Sequence, residues 1–351
     1  MKQIRNININ NFRGLKALAL ADLCPITVFL GENSVGKSSV LESLFMATGP
    51  NNPFLSLQVT SLRAHTGIDL NGVRYMFYDS DLSNTPQMIA QFSDSETREI
   101  RLIPSYTLEE AVDANQIAHM GNNKQILTGI TSEFIIKTEG STVTGKSTFE
   151  RTQDGKLSPT LDPNYQESVN SVCLSSFNLN FNVINIYEEL VKSGRKDVVL
   201  TAIKMFDSRI NSIEATKDGL FIGYDHLSNM VPLNMAGDGI QKYLSIALYA
   251  FHPSTDIIII DEIENGLHFS AHQKLWKCIF TSAKELGKQF FISTHNKETL
   301  TCLSSLVSQD DEYSKMLDVI TLTRDADTIV PYHLSGYGLN GAIENDIEIR
   351  K

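Results

Sequence analysis

Apolar residues run along this chain in two patterns, spaced and continuous, and the two predict different elements. Ile4, Ile7, Ile9 and Phe12 are interleaved with polar residues and predict an edge-type strand, whereas Pro25-Ile26-Thr27-Val28-Phe29-Leu30 is continuous and predicts a strand buried on both faces. A glycine-rich turn follows at once. Ser38 to Ala47 then places Val40, Leu41, Leu44 and Phe45 at helical spacing, ending before Gly49-Pro50. Far downstream, Asp256-Ile257-Ile258-Ile259-Ile260-Asp261-Glu262 and Phe290-Phe291-Ile292-Ser293-Thr294 predict two more buried strands, with a helix over Gln273 to Leu286 between them. That alternation implies parallel strands with helical crossovers, hence an α/β core.

Between residues 51 and 230 the pattern is less regular. Strands are expected near Gln91–Phe92, Glu99–Ile103 and Glu133–Lys137, and a loop at Asp154–Pro163, which together read as a β-rich lobe. Tyr187 to Phe206 carries Leu190, Val198, Val199, Ala202 and Ile203 at near-helical intervals broken by Ser193-Gly194, so two short helices are expected at about 183–207. Sustained heptads and long repeats are absent, which argues against a supercoiled arm or a solenoid. The expected organisation is a single domain over 1–351, formed by 1–50 and 230–351 around an insertion at 51–229.

Composition narrows the function classes. With 42% hydrophobic residues and no apolar run near twenty, the 351-residue chain reads as soluble, without membrane attachment. Thirty basic against 41 acidic residues give a formal charge of −11, so a broadly basic nucleic-acid surface is not indicated, although nucleic acid stays open as a local partner. Cys24, Cys173, Cys278 and Cys302 are scattered, without a CxxC pair or zinc-spaced histidines. The N-terminus lacks the apolar core of a signal peptide, and a cytoplasmic location is expected.

The chemistry concentrates at three places. Gly31-Glu32-Asn33-Ser34-Val35-Gly36-Lys37-Ser38 matches GxxxxGK[ST] between a buried strand and a helix, the context a phosphate loop needs. Backbone N–H groups of Gly31, Asn33, Ser34, Val35, Gly36 and, at the helix start, Ser38 and Ser39 would curl around a polyphosphate; Lys37 would neutralise β and γ oxygens, and Ser38 would offer its hydroxyl to Mg²⁺. Gly140 to Ser147 fits the same expression, but alternation after it predicts a strand or hairpin, so that match is taken as accidental. Asp261 and Glu262 close the isoleucine run, where open α/β sheets bind ligands; Asp261 suits Mg²⁺ and Glu262 suits a general base or water-positioning group. His295, just past the second apolar strand, can donate to a γ-phosphate oxygen.

Lys37 and Asp261 lie more than two hundred residues apart, and a glycine turn, Gly237-Asp238-Gly239, shortly precedes the acidic strand. This order resembles the ABC-type ATPases, and within them the head domains of the SMC, RecF and OLD (overcoming lysogenization defect) group. NNFRGLK at 10–16, GENSVGKSSVLESL at 31–44, AGDGIQKYLSIAL at 236–248, IIIIDEIENGLH at 259–268 and ISTH at 292–295 carry the resemblance. It implies a P-loop NTPase fold, an ABC-type ATPase head with a mixed β-sheet core, and ATP with Mg²⁺ closed between two subunits. In such a homodimer or higher homo-oligomer, Gly237 and Gly239 at a helix N-terminus would meet the γ-phosphate of the opposite protomer, and Arg13 would add charge near the phosphates. Glu264-Asn265-Gly266-Leu267-His268 resembles the OLD-type DE-x-E-x-x-L-H run.

The signature serine is missing and Asp238 intrudes, so slow hydrolysis is expected. The glutamine of the family's Q-loop stays open among Gln58, Gln87 and Gln91. Asp325-Ala326-Asp327 reads as the tip of a hairpin and not as a Toprim nuclease DxD. The chain resembles stand-alone OLD-like ATPases of bacterial anti-phage systems, which implies a separate effector protein from a neighbouring gene. A rival of the same fold is a DNA-repair or chromosome-maintenance head that clamps DNA, for which the cations Lys192, Arg195, Lys196 and Arg209 are sparse. Another is a nucleotide-dependent scaffold with little turnover.

Overall fold

The computed structural model describes residues 1–61, 70–109, 124–152, 154–175, 182–326 and 328–350. The chain opens with β1 (Ile4–Phe12), β2 (Leu15–Leu20) and β3 (Ile26–Leu30), then α1 (Lys37–Thr48), α2 (Leu55–Ser61) and α3 (Leu70–Val73). β4 (Gln87–Phe92), β5 (Thr97–Glu109), β6 (Lys124–Lys137), β7 (Thr142–Arg151), β8 (Leu157–Thr160) and β9 (Ser171–Leu174) precede α4 (Val183–Lys192) and α5 (Lys196–Phe206). Next come β10 (Ile210–Thr216), β11 (Gly219–Tyr224), β12 (Val231–Pro232), α6 (Asp238–Phe251), β13 (Ile257–Ile260), α7 (Phe269–Leu286) and β14 (Gln289–Ser293). The remainder is α8 (Lys297–Val307), α9 (Asp311–Met316), β15 (Leu317–Asp325), β16 (Thr328–Ser335) and α10 (Gly336–Glu344).

The four isoleucines of β13 are all fully buried, and successive ones enter different cores. Ile257 and Ile259 join a cluster with Phe29, Phe291 and the buried face of α1, while Ile258 and Ile260 join Val28, Ile292 and the helices α6 to α8. A strand buried on both faces needs no polar alternation, which is why this one reads as a plain apolar run. It belongs to a six-stranded sheet ordered β16-β15-β3-β14-β13-β9. Within it β9, β13, β14, β3 and β15 run parallel, and β16 alone is antiparallel, so the sheet is mixed as expected.

A second, seven-stranded sheet is ordered β2-β1-β4-β5-β6-β7-β8 and is antiparallel throughout. β1 lies inside it, between β2 and β4, and is not the edge strand its polar spacing suggested. Its alternation records one face on the core and one toward solvent; the edges are β2 and β8. The helix α1 is caught between the two sheets, packing on β14, β13 and β9 on one side and on β1, β4 and β5 on the other. Ser39 to Thr48 are accordingly all buried. α4 and α5 are the two short helices expected from the sequence, and they pack on α6 beside the small sheet β10-β11-β12.

The second GxxxxGK[ST] match is strand, not loop. It spans the β6–β7 turn and β7, with Lys146 opposite Glu133, and the absent side chain of Gly145 makes room for the Phe134 ring. The β15–β16 hairpin pairs Asp325 with Thr328, which puts Asp325 at the turn; Asp327 lies outside the described residues.

Candidate nucleotide site

Parallel pairing sets the site. Phe29 of β3 is level with Ser293 of β14, Ile260 of β13 with Ile292, and Leu174 of β9 with Ile260. The carboxyl ends of these strands therefore form one rim, and the segments leaving it are Gly31 to Gly36, Asp261 to Glu264 and Thr294 to Asn296. Residues far apart in sequence become neighbours because their strands end together.

The loop after β3 is shaped by conformations that L side chains resist. Gly31 has φ +137° and Gly36 φ +117°, and a Cβ on Gly31 would run into the carbonyl of Leu322 on β15. Ser34 holds φ 64°. Glu32, Asn33 and Ser34 are exposed, while Val35 is buried and anchors the loop. Gly36 caps α1 without any side-chain hydrogen bond, which leaves the N-terminus of the helix suited to an anion. The Lys37 ammonium folds back on this loop, donating to the carbonyls of Gly31 (2.8 Å) and Glu32 (2.9 Å). Burial pushes its pKa below the ordinary lysine value, and Asp261, Glu262 and Glu264 oppose that shift.

Asp261 and Glu262 are held by a residue that the sequence reading passed over. The buried hydroxyl of Ser293 donates to Asp261 Oδ1 and accepts from the Glu262 backbone N–H at 2.8 Å. A hydrogen bond to a charged group contributes about 1.5–3 kcal/mol, enough to fix which way the Asp261 carboxylate faces. Glu262 sits at φ 51°, a strained value for a non-glycine residue, and its carboxylate accepts from Asn265 Nδ2. No group of three or more His, Cys, Asp or Glu side chains suited to a metal exists among the described residues. That donor set fits Mg²⁺, which keeps waters and phosphate oxygens as ligands and would draw only on Ser38 and Asp261 here.

Beneath the acidic loop lies Lys242 of α6, 1% exposed, donating to the carbonyls of Glu262 (2.7 Å) and Asn265 (2.9 Å). Burial pushes its pKa down to about 8, against the pull of Glu264, Glu262 and Asp261. The helix that begins with the glycine turn is thereby fastened to the loop that carries Glu262. His295 is exposed, and its ring nitrogen Nδ1 lies 2.9 Å from Glu264 Oε1.

Two expected residues sit differently. Arg13, at φ 53° in the β1–β2 turn, is turned inward: its Nε meets the Glu42 carboxylate of α1 and its Nη2 donates to the Val59 carbonyl at 3.3 Å. A buried carboxylate on the helix demands a cation, and Arg13 supplies it. The glycine turn divides its duties. Gly237 caps α6 and faces open space, but a Cβ on Gly239 would come within 3.2 Å of the Gly266 carbonyl, so Gly239 serves packing inside its own chain.

Comparison with known proteins supplies the decisive observation. Residues 1–149 match the family model "AAA ATPase domain", and residues 141–301 match "AAA domain, putative AbiEii toxin, Type IV TA system". Two solved SMC head structures cover essentially the whole fold at a TM-score of 0.50. One, an SmcHead bound to the C-winged helix domain of ScpA, is 10% identical over 97% of this chain and 99% of its own. The other, an Smc head with an extended coiled coil bound to the C-terminal domain of ScpA, from Pyrococcus furiosus, is 11% identical over 100% of both chains. The chain has the P-loop fold of an ABC-type ATPase head. An "ATP/GTP phosphatase" of Helicobacter pylori is 22% identical to this chain over 98% of both chains, and RecF of Acinetobacter baylyi is 48% identical over 48 residues, 13% of each.

The fold also bears on the open glutamine. Gln87 and Gln91 sit on β4, hydrogen-bonded with Glu99 and Asn6, whereas Gln58 of α2 lines a pocket together with Leu174 at the end of β9. The rim residue after β9 is Ser175, next to Asp261, whose N–H donates to the Leu174 carbonyl at 2.9 Å. β9, short and of mixed polarity, gave no signal in the sequence. Ser293 did give one: a hydroxyl ending an otherwise apolar buried strand must find a partner.

Proposed function

We propose that the protein hydrolyses ATP with ADP and phosphate as products, and that two copies close around the nucleotide to control a separate effector. The observation that carries this reading is the shared strand-end rim, which brings the Lys37 loop, Asp261-Glu262 and His295 to one edge. Loop N–H groups and Lys37 bind the triphosphate, and Lys37 exchanges two loop carbonyls for phosphate oxygens. Ser38 and Asp261 would hold Mg²⁺, which would supply positive charge against the phosphates. Glu262 orients a water and takes its proton as the water oxygen attacks the γ-phosphorus and the bond to the ADP oxygen breaks. His295 donates to the γ-phosphate.

Pairing is supported by the outward-facing Gly237 at the N-terminus of α6 and by Met235 beside it, 75% exposed, an apolar side chain that a second subunit would cover. Asp238 in the first turn of α6 repels an approaching phosphate, which favours slow turnover. The effector reading, with a role in anti-phage defence, is supported by the OLD-like DE-x-E-x-x-L-H run and by the toxin–antitoxin description of the family matched at 141–301. The DNA-clamp alternative is weakened because Lys192, Lys196 and Arg209 each pair with a nearby carboxylate and Arg195 donates to the Phe251 carbonyl.

Glu262→Gln removes the base while keeping the shape. It is expected to lower ATP turnover at least about 100-fold and to accumulate dimers in ATP and Mg²⁺, read by light scattering. A variant that stays monomeric in excess ATP would sink the paired arrangement, and one that turns over at the wild-type rate would remove Glu262 from its role.

A further inference from the structure

Glu264 is a buried carboxylate that phosphate chemistry leaves unused. It is 8% exposed, yet one of its oxygens serves a single residue: Oε1 accepts the backbone N–H of His295 at 3.0 Å and lies 2.9 Å from that residue's Nδ1. The other oxygen, Oε2, is buried with no hydrogen-bond partner. A carboxylate retained only for packing would satisfy both oxygens, because a buried unpaired acceptor destabilises the fold. Here one oxygen clasps both the backbone and the ring of His295, an otherwise exposed side chain on a loop.

We propose that Glu264 is a positioning residue for hydrolysis: it holds the His295 ring by Nδ1–H, so that Nε2 is the nitrogen presented to the γ-phosphate. Free imidazole favours the proton on Nε2, so a carboxylate at Nδ1 reverses the ring's ordinary preference. Donation from Nε2 while Nδ1–H stays on the carboxylate requires a proton on each nitrogen, and Glu264 is placed to supply the counter-charge when phosphate is bound. Other titratable groups surround it. Lys242 approaches from α6, His272 from α7 and Lys37 from α1, with His268 and Glu298 beside His272, while Arg350 donates to the His295 carbonyl at 3.2 Å. His272 Nε2, like Glu264 Oε2, is buried without a hydrogen-bond partner. The inference rests on the reading that His295 faces the γ-phosphate, so its test has one readout that needs no turnover.

In protein labelled with ¹⁵N-histidine, the His295 ring is assigned by its loss in His295→Ala. The wild-type ring is expected to carry its proton on Nδ1, and Glu264→Ala to restore the Nε2–H form; an identical ring spectrum in both overturns the proposal. In steady-state ATP turnover, Glu264→Gln is expected to lower kcat about tenfold with nucleotide affinity within about twofold, and to change kcat less than about twofold in a His295→Ala background. Losses that multiply across the two backgrounds show Glu264 acting independently of His295 and overturn the inference. A tautomer change together with wild-type turnover in His295→Ala leaves Glu264 as the holder of the ring and instead removes His295 from the proposed hydrolysis.

Discussion

Lys37 and Lys146 occupy the same position of the same sequence expression, and only their surroundings separate them. Lys37 bonds to its own loop carbonyls at the start of α1, and Lys146 stands in β7 opposite Glu133. Lys37→Ala is therefore expected to weaken ATP binding by at least about 100-fold, and Lys146→Ala to leave it within about twofold, measured by calorimetric titration. Equal defects would mean that the phosphate loop has been misassigned. The loop, Asp261, Glu262 and His295 were legible in the sequence because each is a short motif next to an apolar strand. Lys242 and Glu42 were not, since each acts on a partner that only tertiary packing supplies, and Ser293 showed only that its hydroxyl needed a partner, not which one. The partner of Arg13 was hidden for the same reason: its position in a family-like run gives no hint of the buried carboxylate waiting on α1.

Elements were easiest to read where burial was complete. β13 and β14 appeared as apolar runs, and α7 as a helix over Gln273 to Leu286, though the structure starts α7 earlier, at Phe269. β1 was recognised but given the wrong neighbours, because spaced polar residues report a solvent face equally well for an inner antiparallel strand and for an edge. The junction before β14 illustrates what patterning hides. Lys288, fully buried, donates to the carbonyls of His252 (2.6 Å) and Thr255, tying the turn between α6 and β13 to the strand that follows α7. Burial pushes its pKa down to about 8, with Asp256 opposing. A lysine whose folded pKa lies below its unfolded value of 10.5 costs stability at neutral pH, and that cost is relieved as pH rises from about 8 to 10.5. The urea midpoint of the wild type is thus expected to gain on that of Lys288→Met between pH 8 and pH 10; a constant difference would show that the ammonium is not strained by its burial.

Across the molecule, the two large sheets are joined by α1, by the packing of β16 on β2, by Gln289 of β14, whose side chain bonds both backbone groups of Ile4 on β1, and by a buried arginine. Arg98 of β5 is fully buried; it bonds Glu96 at 2.7 Å, the Thr48 carbonyl at the end of α1 at 2.7 Å, and Glu167 and Ser168, which lie just before β9. Removing one member of a buried ion network costs about 3–5 kcal/mol, so Arg98→Met is expected to lower unfolding stability by that amount in denaturant titrations. A loss under about 1 kcal/mol would show that the sheets hold together without it. The six-stranded sheet has a further consequence. The phosphate-loop strand β3 is flanked by β14 and β15, which are contributed by residues 289–325, and Asp261 is oriented by Ser293. A nascent polypeptide emerging from the ribosome therefore carries its lysine-bearing loop long before the strands on either side of it exist. Nucleotide can help neither the early steps of folding nor a fragment truncated before those strands, and would acquire its grip only once residue 325 has been made.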